Sequence, residues 1–172
     1  MAGFYVYLIS SLPMLHFGAT PPFSFERFLE ICLDKISDED IRLVALTKDA
    51  CLYAGNQPAL KGWSAFDTAL RNELVKIRAS SKHLDPFQYI RGQDYIEPYI
   101  AHIAMNARRS LSILEAERLL DQGRWHKLDE LAVGHYFDLD FLIVYALKLL
   151  ILERWGRIST ADKSRLLNEA LN

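Results

Sequence analysis

Cysteine is scarce in this chain, with two residues, Cys32 and Cys51, among 172. Neither sits in a C-x-x-C pair or near histidines at ligand spacing, which excludes a disulfide scaffold and a zinc ribbon. Charge of one sign is lacking too: 20 Lys and Arg face 22 Asp and Glu, for a net charge of -2. Such a balance gives no global field for phosphate backbones or anionic lipid, so no nucleic-acid partner is expected. Long apolar runs are missing. The longest, Leu139 to Leu152, is interrupted by Asp140 and Lys148 and falls short of the ~20 residues that a membrane span needs. The apolar stretch Phe4 to Ile9 has no basic segment before it and no small-residue cleavage site after it, and is read as part of the fold. A soluble, cytoplasmic chain without direct membrane insertion is expected. Catalytic signatures are likewise lacking: there is no G-x-S-x-G, no G-x-x-x-x-G-K-[ST], no G-x-G-x-x-G and no H-E-x-x-H. No enzyme activity and no cofactor are expected from the residues.

What is present is a globular composition. Hydrophobic residues make up 51% and charged residues 24%, with mean hydropathy +0.01, values that fit a packed domain and not a disordered chain. Helical periodicity dominates. Phe25, Phe28, Leu29, Cys32, Leu33 and Ile36 follow one helical face, opened by Ser24. Ser37 followed by Asp38, Glu39 and Asp40 reads as an N-cap with first-turn carboxylates, predicting a helix from about Asp38 to Ala54 that Gly55 and Pro58 end. Ser64 or Asp67 can cap the next helix, with Phe66, Leu70, Leu74 and Ile77 as its stripe.

Asp85 and Pro86 read as a cap with proline at the first helical position, and a further helix spans Pro98 to Arg109. Ser112 and Glu115 have capping-box spacing for a helix ending near Gln122 and Gly123, after which a short helix covers His126 to Ala132. Asp138 starts the most apolar segment, whose polar positions Asp140, Lys148 and Tyr145 gather on one arc. Gly156 and Ser159 are expected to separate it from a last amphipathic helix over about 160–171. Phe4 to Ser10 fits a strand or a buried helix equally well, and the lack of a pairing partner favours helix. The expectation is an all-α single domain, 1–172, a bundle of about seven helices around a central apolar helix, 139–155.

Three groups of residues could carry function. His135, Asp138 and Asp140 place an imidazole and two carboxylates within six positions, enough for a metal or acid/base site, although Asp138 already has a use as a helix cap. Trp63, Trp125 and Trp155 lie near predicted helix ends, as interface anchors or as core-edge packing residues. Arg108 and Arg109, like the basic run from Lys76 to Lys82, could meet an acidic partner or form a solvated face. Cys32 and Cys51 read as small core hydrophobes.

The segment FYVYLISSLP at 4–13, PPFSFERFLEIC at 21–32 and FDLDFLIVYALKLLILERW at 137–155 resemble a bacterial domain-of-unknown-function family associated with V/A-type ATP synthase operons. That family is similar to the C (d) subunit of rotary V/A-type ATPases, an all-helical, non-catalytic piece between central stalk and membrane rotor. The resemblance implies a structural or accessory subunit that couples stalk and rotor, with stalk or rotor subunits as partners and no active-site residues. It implies a location peripheral to the inner membrane through the ATPase complex. Trp63, Arg108 and Arg109 are the expected contact residues. The alternatives are a small helical enzyme or ligand-binding domain with a pocket near His135, Asp138 and Asp140, and a general helical scaffold.

Overall fold

The computed structural model describes residues 5–92 and 97–171, with side chains described up to residue 161 except at Leu52. Among these residues there are seven α-helices and no strand, as the periodicity predicts. Contacts divide the chain into two compact units, one from 1–48 with 134–172 and the other from 49–133. Phe4, expected to begin the first element, and the side chains beyond residue 161, expected to form an amphipathic face, lie outside the described residues.

The first unit contains α1 (Val6–Ser11), α2 (Phe25–Cys32), α3 (Asp38–Ala45) and α7 (Leu139–Leu171). Val6–Ser11 is thus helical, and Tyr5 before it is tied down twice: its amide donates to the Phe137 carbonyl at 2.6 Å, and its hydroxyl donates to Asp40. Serine caps open α2 and α3, where Ser24 Oγ accepts from the Arg27 amide at 3.1 Å and Ser37 Oγ from the Asp40 amide at 3.2 Å. Glu153 of α7 satisfies another orphan donor of α2, the Phe25 amide, at 3.0 Å.

Leu142, Ile143, Val144, Ala146, Leu147, Leu149, Ile151 and Leu152 are all buried, as a helix apolar over most of its circumference requires, while Asp140, Lys148 and Leu150 are half-buried. Tyr145, expected on the polar arc, is buried as well. Its ring lies 5.1 Å from that of Phe28, and its hydroxyl donates to the Pro13 carbonyl at 2.9 Å, which meets the need of a buried phenol for a partner. Burial pushes its pKa up to about 12.

Gly156 and Ser159 do not break α7, which runs on to Leu171. A glycine inside a helix costs only about 1 kcal/mol relative to alanine, and Thr160 Oγ1 ties the next turn by donating to the Gly156 carbonyl at 2.9 Å. The expected helix over 38–54 is shorter. α3 ends at Ala45 and passes into 3-10 geometry over Leu46–Leu52, with a kink at Asp49 (φ -114°, ψ 23°).

The second unit contains α4 (Pro58–Ser81), a 3-10 turn (Pro86–Gln88), α5 (Pro98–Arg109) and α6 (Ile113–Leu131). Pro58 begins α4 where it was expected to mark an end. Proline suits the first helical position, and Gln57 Oε1 supplies the cap by accepting from the Leu60 amide at 2.7 Å. Ser64 and Asp67 therefore lie within the helix. His83, at φ +55°, closes α4 as the Leu84 amide reaches back to the Ala79 carbonyl at 3.0 Å.

The three long helices pack pairwise around Phe66, Leu70, Ile100, Ile103, Ala104 and Leu120. Each large side chain among them contributes roughly 1.5–3 kcal/mol by leaving water. Gly123 is part of this packing and not a helix end: a Cβ there would stand 2.6 Å from Ile103 Cδ1. That contact explains why α6 is one helix over Ile113–Leu131 instead of the two segments expected on either side of Gly123.

Candidate functional site

His135, Asp138 and Asp140 sit in the first unit, on the turn that leads into α7. Asp138 divides its carboxylate between two duties. Its Oδ1 accepts from the Phe141 amide at 3.1 Å and caps the helix, while Oδ2 lies 2.6 Å from His135 Nδ1. Asp140 Oδ2 is 4.0 Å from the same nitrogen. The hydrogen bond to Asp138 raises the His135 pKa above its ordinary 6.5, against some desolvation and with help from the negative charges of Asp138 and Asp140. One donor atom from each of the three residues lies within 4.8 Å of the others, so the trio could hold a divalent cation. The local chemistry also works without one, because His135 and the helix amide together engage both Asp138 oxygens. The trio is half-buried, brought together by the turn at Gly134, whose φ of +85° favours glycine.

The contact residues separate. Trp63 is 7% exposed, with its ring 6.4 Å from that of Phe66. The exposure expected of it is not found, because position 63 falls on the face of α4 that joins the core. Trp125 is buried likewise. Arg108 and Arg109 are exposed at the end of α5. Around them stand side chains that sequence patterning did not single out: Met105 is 40% exposed, Leu114 48%, Ile113 85% and Leu111 100%. The turn that carries them is fixed from within, since Ser112 Oγ accepts from the Glu115 amide at 3.1 Å and Glu115 Oε2 from the Leu111 amide at 3.2 Å. Leu111 and Ile113 are thus held outward on an ordered corner between α5 and α6. Three large aliphatic residues in four positions, Leu111, Ile113 and Leu114, were the signal in the sequence that could have revealed it.

A second polar cluster was also missed. Asp67 and Asp121, 3% and 1% exposed, flank Arg124 inside the second unit. Arg124 Nε donates to Asp67 Oδ1 and its Nη1 to Asp121 Oδ1, both at 2.9 Å. Arg71 Nε donates to the other Asp67 oxygen at 2.7 Å. Burial disfavours the charge on Arg124, and the coulombic and hydrogen-bonding pull of Asp67 and Asp121 outweighs it, so the guanidinium holds its proton more firmly than usual. The i,i+4 pair Asp67 and Arg71 and the i,i+3 pair Asp121 and Arg124 are visible in the sequence, whereas their union across 57 positions is a product of packing. Cys32 is buried as expected, and burial pushes its thiol up to about 11. Cys51 is only half-buried.

No helix among the described residues is long and apolar enough to cross a membrane. In comparisons with known proteins, no curated protein and no solved structure matches the chain. Residues 98–172, which include both α5–α6 and α7, match the model of a family described as a protein of unknown function, DUF2764.

Proposed function

We propose that the chain is a non-catalytic structural or accessory subunit of a V/A-type rotary ATPase, coupling central stalk and membrane rotor at the cytoplasmic face of the inner membrane. The observation that carries this reading is the corner between α5 and α6. An ordered turn there presents Leu111 and Ile113 to water, with Arg108 and Arg109 beside them. Exposed large aliphatic residues next to arginines mark interaction surfaces more than enzymatic ones. The resemblance of 137–155 to the closing helix of an ATPase-associated family points to the partner, and that helix lies inside the segment matching the family of unknown function.

The test is recovery of partners from cells carrying a tagged copy. Stalk or rotor subunits are expected with the wild-type chain and lost with a Leu111→Asp/Ile113→Asp variant whose far-UV circular dichroism is unchanged. Recovery with an unrelated machinery, and with neither stalk nor rotor subunits, discards the ATPase assignment and leaves a general helical scaffold. A second reading, a small ligand-binding or catalytic domain, draws on the closeness of the His135, Asp138 and Asp140 donor atoms. It is favoured if the purified chain binds a divalent metal that His135→Ala abolishes without loss of stability.

A further inference from the structure

We propose that a cleft in the second unit, formed by α4 and the segment that follows it, binds the phosphoryl group of a small ligand through Arg71 and Arg91. The cleft has a volume of about 500 Å³, within the range of small-molecule sites. Arg71, Arg91, Thr68 and Tyr89 bring polar groups to it, and Val75 adds an apolar wall.

Both guanidinium groups have donors to spare. Arg71 spends its Nε on Asp67 at 2.7 Å, and its side chain is 61% exposed. Nothing else among the described residues engages its two Nη atoms. The Arg91 side chain has no protein partner among the described residues, yet its backbone is firmly placed. Asn72, 6% exposed, grips that backbone with both ends of its amide: Nδ2 donates to the Arg91 carbonyl at 2.8 Å, and Oδ1 accepts from the Arg91 amide at 3.0 Å. Gly92 then turns the chain at φ +72°, beside Thr68. A buried side chain is thus used to seat a loop arginine over α4, at the cleft that Arg71 also lines.

The choice of phosphate follows from charge and shape. Two guanidinium forks suit a tetrahedral group with three terminal oxygens, and a phosphate dianion answers two cations where a single carboxylate answers one. The Thr68 hydroxyl adds a donor, and Tyr89 with Val75 leaves an apolar side for an organic remainder. This assignment does not depend on the ATPase reading, since it concerns a different part of the surface from the Leu111 corner.

The test is calorimetric titration of the whole chain with inorganic phosphate, a nucleoside monophosphate and malonate, for wild type, Arg91→Gln and Arg108→Gln. Because no hydrogen bond or ion pair among the described residues uses the Arg91 side chain, and Asn72 holds the backbone of that residue, Arg91→Gln is expected to keep the native circular dichroism. Phosphate should bind wild type and Arg108→Gln alike and bind Arg91→Gln at least ~10-fold more weakly, the factor that one lost charge-assisted hydrogen bond removes. Tighter binding of the nucleoside monophosphate than of phosphate assigns an organic phosphate as the ligand, and equal binding assigns free phosphate. Absence of phosphate binding at millimolar concentration, equal affinity in Arg91→Gln, or malonate binding as tightly as phosphate overturns the proposal.

Discussion

Replacing Arg124 by methionine should destabilise the second unit more than any other single change to its polar residues. Methionine preserves much of the side-chain length but removes the bridge between two carboxylates whose side chains are 4% and 2% exposed. Asp67 keeps Arg71, but that side chain is 61% exposed, so water screens the remaining attraction. Removing one partner of a buried ion pair costs about 3–5 kcal/mol, because a charge stays behind in a poorly solvated place. Against a typical total of about 5–15 kcal/mol this is a large fraction. By contrast, Arg71→Met breaks a contact of which one side is mostly in water, for which about 0–1 kcal/mol is expected.

The triple variant Asp67→Leu/Asp121→Leu/Arg124→Met removes the charges together and should recover most of the loss, since apolar replacement of a buried ionic cluster is often neutral or stabilising. Urea unfolding followed by tryptophan fluorescence reads this out in a Trp155→Phe background, where Trp63 and Trp125 both report on the second unit. At an m-value of about 2 kcal/mol/M, Arg124→Met should lower the midpoint by about 1.5–2.5 M. A loss below about 1 kcal/mol, or one no larger than that of Arg71→Met, would refute the view that Arg124 holds two buried carboxylates in place.

Two glycines in the second unit should respond differently to alanine. At Gly62 the new methyl meets one outer atom, Leu131 Cδ2 at 2.8 Å, which can swing aside, whereas at Gly123 it meets three atoms of buried Ile103 within 3.3 Å; thermal melts should find Gly62→Ala neutral or stabilised by up to ~1 kcal/mol and Gly123→Ala destabilised by about 1–2 kcal/mol. His135, with its pKa raised by Asp138, contributes stability that is fully present below pH 6.5 and fades as pH rises through the raised value. Asp138→Ala should weaken this dependence, leaving the pull of Asp140, and, by uncapping α7, lower stability by about 0.5–2 kcal/mol at high pH and by more at low pH, as denaturant titration between pH 5 and 9 would record. Thiol labelling of the native chain should modify half-buried Cys51 and spare Cys32, whose thiol is buried and raised to about 11, with both reacting in denaturant; fast labelling of Cys32 would contradict its place in the core.

What the sequence revealed, and what it hid, follows the range of the interactions involved. Ser24, Ser37, Ser112 and Asp138 were legible as caps because each bonds an amide three positions ahead, a distance any window covers. The bounds of α5, Pro98 and Arg109, were legible for the same local reason. Gly123 and Gly156 misled because glycine in a pattern has two meanings, an end to the helix or room for a neighbour, and only the neighbour decides. Ile103 decides at Gly123. Gln57 was overlooked as a cap because glutamine is uncommon in that role, and Pro58 was consequently assigned to the wrong side of the boundary. The Asp67–Arg124 bridge and the Asn72 clasp on Arg91 join positions 57 and 19 apart. No local period encodes them.

The same distinction bears on which residues meet a partner. A tryptophan at a helix end suggests an anchor, but a large aromatic ring is also what a small bundle needs to fill its core, and Trp63 is used in that way. Leu111 and Ile113 are the reverse case. They bury little or nothing within the chain, so the fold gains almost no stability from their apolar character, and their solvation is unfavourable while they stand in water. Polar replacement should therefore leave stability within about 0.5 kcal/mol of wild type, as for surface substitutions generally. If Leu111→Asp/Ile113→Asp destabilises the chain well beyond that range, these side chains serve the fold and the corner loses its claim as a contact surface. If stability holds while partner recovery fails, binding and folding have been separated at two named residues.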